Sequence, residues 1–125
     1  MRIKIKTTKW QEAVDVTSKI EKEIVGQKGK ACLIFCPHTT CGLTINEGAD
    51  PAVIEDVLEA IDELTPRLDF KHKEGNSISH IKSSLVGSSL LIPLENCRLN
   101  LGKWQKIFFL EFDGPREREI WVELL

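Results

Sequence analysis

SLLIPLENCRLNLGKWQKIFFLEFDGPREREIWVELL, residues 89–125, decides the fold class. Three apolar runs stand in it: LLIPL at 90–94, IFFLEF at 107–112 and IWVELL at 120–125. Each is too short for a good helix, rich in branched and aromatic residues, and set apart by turn formers, which reads as three strands. Pro93 has no amide to give to a ladder, so the first of them is expected at an edge or a bulge. Asp113-Gly114-Pro115 reads as the turn joining the last two.

Upstream, helices and strands alternate. Arg2–Lys6 alternates apolar and charged residues, the pattern of a half-buried strand. Glu12–Val16 reads as a second short strand. Ser18 and Glu21 have capping-box spacing, so a helix is expected from near Ser18, stopped by Gly26 and Gly29. ACLIFC, residues 31–36, is a continuous apolar run and reads as a buried central strand. Pro37-His38-Thr39-Thr40 is then a loop, and Gly42–Asn46 a further strand, so the two are expected to form a hairpin. Asp50-Pro51 starts a helix, with Asp as cap and Pro at the first position. Val53, Val57, Ile61 and Leu64 recur at helical spacing up to Pro66. Asn76 is placed to cap another helix, in which Ile78, Ile81 and Leu85 are expected to face inward and Gly87 is the stop. Strands flanking helices, followed by a run of strands, predict a single α+β domain over residues 1–125.

Composition narrows the function classes. The chain has 125 residues, 42% hydrophobic and 29% charged, with a formal net charge of −2. That composition suits a folded domain. It shows no basic excess for a nucleic-acid partner, and no apolar run long enough for a membrane helix. The alternating MRIKIK opening is a strand pattern rather than a signal peptide, so a cytoplasmic protein is expected. Cys32, Cys36, Cys41 and Cys97 form no CxxC pair and are expected to be reduced. On one strand Cys32 and Cys36 would lie about 13 Å apart, too far for a shared metal.

Three histidines are the residues with most chemistry. His38 follows the central strand, His72 lies in a polar stretch before the second capped helix, and His80 lies near that helix's start. Three imidazoles make a first shell for zinc or a similar divalent ion, with a fourth position left for water or substrate. Glu74-Gly75-Asn76 at a helix N-terminus, with Lys82 a turn further along, is a potential anion site. Asn46, Glu47 and Asp50 cluster where a strand gives way to a helix; Glu47 is a candidate base or ligand, Asp50 a cap. Trp104, after Gly102, could stack on a ligand ring. Cys36, His38 and Cys41 are a second, weaker metal set.

The segments CPHTTCGLTINEGADP (36–51), HKEGNSISHIKSSLVGSS (72–89) and LNLGKWQKIFFLEFDGPR (99–116) stand in the order and spacing of the YjbQ-like family, UPF0047. The chain resembles that family over nearly its whole length, most clearly from Ala31 onward. One departure is Lys103, where the family carries threonine. The resemblance implies antiparallel β-sandwich-like sheets with flanking helices, assembly as a homotrimer, and a weak, secondary thiamine-phosphate synthase activity on small phosphorylated metabolites. It singles out His38, Thr39, Thr40, Asn46, Glu47, His72, Glu74, Asn76, His80 and Lys82. The expectation drawn from residues and resemblance together is a pocket in which His38, His72 and His80 hold zinc. Magnesium would then come with a diphosphate substrate. Glu47, His80 and Lys82 would act in catalysis, and Thr39, Thr40, Asn46, Glu74, Asn76 and Trp104 would bind substrate. The alternatives are another metal-dependent hydrolase, or a metabolite-binding trimer without turnover.

Overall fold

The computed structural model describes all 125 residues. Eight strands and three helices follow in the order β1 (Arg2–Lys6), β2 (Glu12–Asp15), α1 (Thr17–Ile24), β3 (Ala31–Phe35), β4 (Cys41–Glu47), α2 (Pro51–Leu64), α3 (Ser77–Val86), β5 (Ser89–Glu95), β6 (Arg98–Leu99), β7 (Gln105–Glu111) and β8 (Glu117–Leu124). They build two antiparallel sheets, β1-β8-β3-β5-β6 and β2-β7-β4. The expected α+β class and sandwich-like sheets are what the chain forms.

The principal core lies between the sheets. Ile3, Ile5, Cys32, Ile34, Ile92, Ile120 and Val122 point inward from the larger sheet, and Leu43, Ile107 and Phe109 from the smaller. Val16, Ile20 and Ile24, on and just before α1, join the same cluster. A fully buried side chain of this kind contributes roughly 1.5–3 kcal/mol. IFFLEF shows no alternation because both of its faces are covered. Ile107 and Phe109 face the sandwich, while Phe108, Leu110 and Phe112 pack against Ile54 and Leu58 of α2.

Two connections differ from the sequence reading. β3 and β4 do not form a hairpin, because they lie in different sheets. Cys36, just past β3, donates its amide to the Ser88 carbonyl, whereas Cys41 pairs with Glu111 of β7. The loop 37–40 is therefore a crossover between the sheets. The turn at 113–115 is likewise a crossover, from β7 to β8. Gly114 is required there: a Cβ would lie on the Lys9 carbonyl oxygen and against Thr7 and Glu111 side chains. Pro93 sits within β5, where its carbonyl accepts from Asn100. Its missing donor faces the two-residue β6 rather than β3, which is why a proline is tolerated.

Two helix readings are also corrected. α1 starts without a Ser18–Glu21 box: Asp15 Oδ1 accepts the Thr17 amide at 3.0 Å, and Thr17 Oγ1 accepts the Ile107 amide. α3 faces the other way from the expectation. Its buried residues are Ser79, Lys82 and Ser83, and Leu85 is 66% exposed. Polar groups turn inward because the surface beneath is made of backbone carbonyls. Ser79 Oγ donates to Phe112 O at 2.6 Å and Ser83 Oγ to Cys41 O at 2.7 Å. α2 is capped as expected, Asp50 Oδ1 accepting the Ala52 amide at 3.0 Å.

Candidate functional site

The candidate residues fall in three places. The first is the crossover loop 37–40 and the floor beneath it. Glu111, fully buried at the end of β7, accepts a two-point hydrogen bond from Arg118 of β8, at 2.9 and 2.6 Å. Thr7 Oγ1 donates to the same carboxylate at 2.7 Å, and the Phe112 and Asp113 amides donate to its other oxygen. Arg118 also donates to Thr40 Oγ1 at 2.7 Å. Burial, the largest single effect, would lower the pKa of the Arg118 guanidinium, but the Glu111 hydrogen bonds together with the Cys41, Glu111 and Cys36 charges hold it above the ordinary value.

His38 Nε2 lies 3.0 Å from the Glu119 amide and 3.1 Å from the Glu119 carbonyl oxygen, accepting from the first or donating to the second according to which ring nitrogen carries the proton. Burial, followed by the Arg118 charge, lowers the His38 pKa below the usual imidazole value. The ring lines a cavity of about 410 Å³ together with Lys4, Lys6, Glu117, Arg118 and Glu119. Cys36 and Cys41, at the two ends of the loop, have their sulfurs 3.4 Å apart. The hydrogen bond from Cys41 lowers the Cys36 pKa against the opposing effect of burial, and Cys41 is raised by the same contact. Burial pushes Cys32 up to about 11.

The second place is the start of α3. The His72 and His80 rings meet edge to face with centroids 5.6 Å apart, beside Phe70, Ser77 and Ile81. His72 Nε2 is 3.6 Å from Glu74 Oε2. Asn76 stands at the N-cap position but makes no cap hydrogen bond. Its side-chain Nδ2 instead donates to Asp113 Oδ2 at 3.1 Å, and its buried side-chain Oδ1 has no partner.

The third place is the far end of β4, roughly 20 Å along the strand from Cys41. Asn46 Oδ1 accepts the Glu47 amide, Glu47 pairs with Gln105, and Trp104 is 56% exposed with the Lys103 ammonium 4.8 Å from its ring. Thr39 is exposed on the crossover loop.

One copy of the chain therefore brings His72 and His80 together but not His38, and no group of three His, Cys, Asp or Glu side chains is placed to hold a metal. The Cys36–His38–Cys41 set fails for the same reason: the cysteines meet, but His38 is turned to Glu119. Lys82 is turned into the protein rather than toward the start of α3. It is 0% exposed, donates to Asp62 Oδ1 at 2.6 Å and Gln11 Oε1 at 2.8 Å, and lies under the Trp10 ring. Lys82, then Arg67, hold the Asp62 carboxyl below its ordinary pKa.

The sequence reading missed Glu111, Arg118 and Thr7. A signal was present: Glu111 interrupts the apolar run IFFLEF, and a carboxylate there demands a buried partner. Arg118 shares the inward parity of Ile120 and Val122, which marks it as that partner.

Two antiparallel sheets packed face to face, with α2 on the outer side of the smaller one and a polar crossover carrying histidine between them, define a class of small mixed sandwich. The model of the family described as UPF0047 protein YjbQ-like matches residues 1–125, and the chain belongs to that family. It is 48% identical to the UPF0047 protein YugU of Bacillus subtilis, over 98% of this chain and 96% of that one. It is also 48% identical to a UPF0047 protein of Methanocaldococcus jannaschii, over 99% of this chain and 92% of the other. Among solved structures, a YjbQ/UPF0047 family protein of Clostridium acetobutylicum superposes with a TM-score of 0.94 at 45% identity, covering 100% of this chain and 99% of its own. A conserved hypothetical protein of Thermus thermophilus gives 0.93 at 47% identity, covering 100% and 99%.

Proposed function

We propose that this chain is a weak transferase that joins a pyrimidine diphosphate to a thiazole phosphate, making thiamine phosphate as a secondary reaction, and that it works as a homotrimer with its site at the contact between copies. The observation that supports this reading is the His72–His80 pair at the open end of α3. Two imidazoles 5.6 Å apart suit zinc or a similar divalent ion, but they are short of a full first shell. A neighbouring copy would supply the rest.

Three separated patches argue the same way. Asn46, Glu47 and Trp104 at one end of β4 can reach the histidines only from another copy. The surfaces for such a contact are apolar: Leu33, Phe35, Leu91 and Trp121 stand on the outer face of the larger sheet, and Leu85 on the outer face of α3. Large apolar patches of this kind mark interaction sites.

A bound divalent ion would supply electrostatic stabilisation of the departing diphosphate. The chain's own part is to hold and orient. His72 and His80 would grip the ion, and the backbone amides at the start of α3 face a phosphate. Thr39, Glu74 and Asn76 would fix the substrate, Trp104 would stack on a ring, and Glu47 would take up a proton. Lys82 serves this site by position, anchoring α3 to α2 through Asp62.

The test compares wild type with His80→Ala. Metal content, mass in solution and thiamine-phosphate formation are measured on the same preparations. Near-stoichiometric metal and product formation, both lost in a folded H80A protein, are expected. Undiminished product formation by H80A, or wild type that takes up no metal from zinc solution and makes no product, overturns the reading.

A further inference from the structure

We propose that Cys36 and Cys41 are a peroxide-oxidisable pair that forms a reversible disulfide stapling the two sheets together across the crossover loop. The argument is geometric. The two sulfurs are 3.4 Å apart, so a movement of roughly 1.4 Å brings them to bonding distance. Both residues are buried, Cys36 2% and Cys41 0% exposed, which excludes bulky oxidants and a cysteine of another protein molecule. A peroxide is small enough to enter past a loop whose Thr39 is exposed and whose His38 lines a cavity of about 410 Å³.

The position gives the bond a consequence. Cys36 continues β3 and is tied by its amide to Ser88, in the larger sheet's framework. Cys41 begins β4 in the smaller sheet, and its carbonyl holds Ser83 of α3. The residues closed between them are Pro37, His38, Thr39 and Thr40, and Thr40 is the hydroxyl that meets Arg118. The staple therefore fixes the loop whose His38 lines the cavity. Cys32, on the same strand as Cys36, has no sulfur partner of its own, and Cys97 sits far off in the β5–β6 turn.

The chemistry balances with hydrogen peroxide as oxidant. One sulfur of the pair, as thiolate, attacks a peroxide oxygen. The S–O bond forms, the O–O bond breaks, and the hydroxide released takes up the proton lost by that thiol. The second sulfur then displaces the sulfenic oxygen. The S–S bond forms, the S–O bond breaks, and the oxygen leaves as water with the second thiol's proton. Two thiols and one peroxide give one disulfide and two waters, and a dithiol reductant reverses the change.

The experiment uses the whole chain in a Cys97→Ser background to suppress links between molecules. Folded protein is treated with hydrogen peroxide, denatured without reductant, counted for thiols and digested for mass spectrometry. Loss of two thiols, a Cys36–Cys41-linked peptide and full recovery with dithiothreitol are expected. Cys36→Ser and Cys41→Ser should each abolish the linked peptide, and Cys32→Ser should not. Peroxide that leaves every thiol intact, or that drives either cysteine to sulfinic acid with no linked peptide, overturns the proposal. The peptide map of the C97S protein decides the matter even if a serine variant fails to fold.

Discussion

At the residue scale, the Glu111–Arg118 pair is the most consequential contact in the molecule. A buried ion pair is weak evidence of net stability, but removing one member strands the other. Arg118→Met is therefore expected to cost about 3–5 kcal/mol in a urea titration. The double variant E111L/R118M is expected to recover most of that loss, because no buried charge remains. Equal losses in single and double variants would show that packing, not charge, dominates there. His38 gives a second test. Burial and Arg118 favour its neutral ring, so its folded pKa lies below the ordinary 6.5. The sign follows: the unfolded chain binds the proton more readily, so His38's contribution is present above pH 6.5 and is lost as pH falls through the lower folded pKa. An NMR titration of the ring should show a midpoint below 6.5, and a midpoint at or above it would show that burial and the Arg118 charge do not outweigh the Glu119 contact, which favours the charged ring. Glu111 and Arg118 leave a trace in the sequence, an acid inside an apolar run and an arginine of inward parity, whereas His38 and Glu119, 81 residues apart, leave none.

At the element scale, α3 is the instructive case. Ile78, Ile81 and Leu85 have helical spacing, and periodicity alone assigns them to the core. The chain does the opposite because this helix packs on strand ends and the crossover, where carbonyl oxygens need donors, and Ser79 and Ser83 supply them. Close approach at its C-terminal end requires Gly42, where a Cβ would lie 2.8 Å from the Gly87 carbonyl oxygen and 2.9 Å from Val86 Cγ1. Two substitutions separate the readings of this helix. Lys82→Met keeps the apolar stem but leaves Asp62 and Gln11 without their buried donor, and should cost about 3 kcal/mol. Leu85→Glu should change the stability of the isolated chain by no more than about 0.5 kcal/mol, as exposed positions do. Circular-dichroism melts of both variants check this, and a large loss for L85E would return the apolar face to the core.

At the scale of the whole molecule, the outer face of the larger sheet carries the prediction. Phe35 and Trp121 pair across β3 and β8 with ring centroids 5.5 Å apart, Arg2 lies over Trp121, and Leu33 stands opposite Leu91. One face of an antiparallel sheet is commonly solvated and polar; here an apolar patch of Leu33, Phe35, Leu91 and Trp121 interrupts the outward charged residues of β1 and β8. Under the proposed trimer, light scattering should give about three times the chain mass of 14.2 kDa. Trp121→Glu should shift the population toward monomer, while a wild-type chain of single mass would remove the basis for a site between copies. No helix is long and apolar enough to cross a membrane.

The sequence by itself determined the element types, the fold class and the family. Apolar runs bounded by turn residues, an Asp-Pro helix start and three long motifs in order are local features, and local features are written in consecutive residues. It also placed His72 and His80 on either side of one helix start, where their rings meet. Tertiary structure alone decided which strands share a sheet, that residues 37–40 and 113–115 cross between sheets, and that His38 stands apart from the other two histidines. It also turned Lys82 inward to Asp62 and set Cys36 against Cys41. These outcomes depend on how two twisted sheets and a helix with a polar inner face bury their surfaces together, a balance made between residues distant in the chain and carried by no single stretch of it.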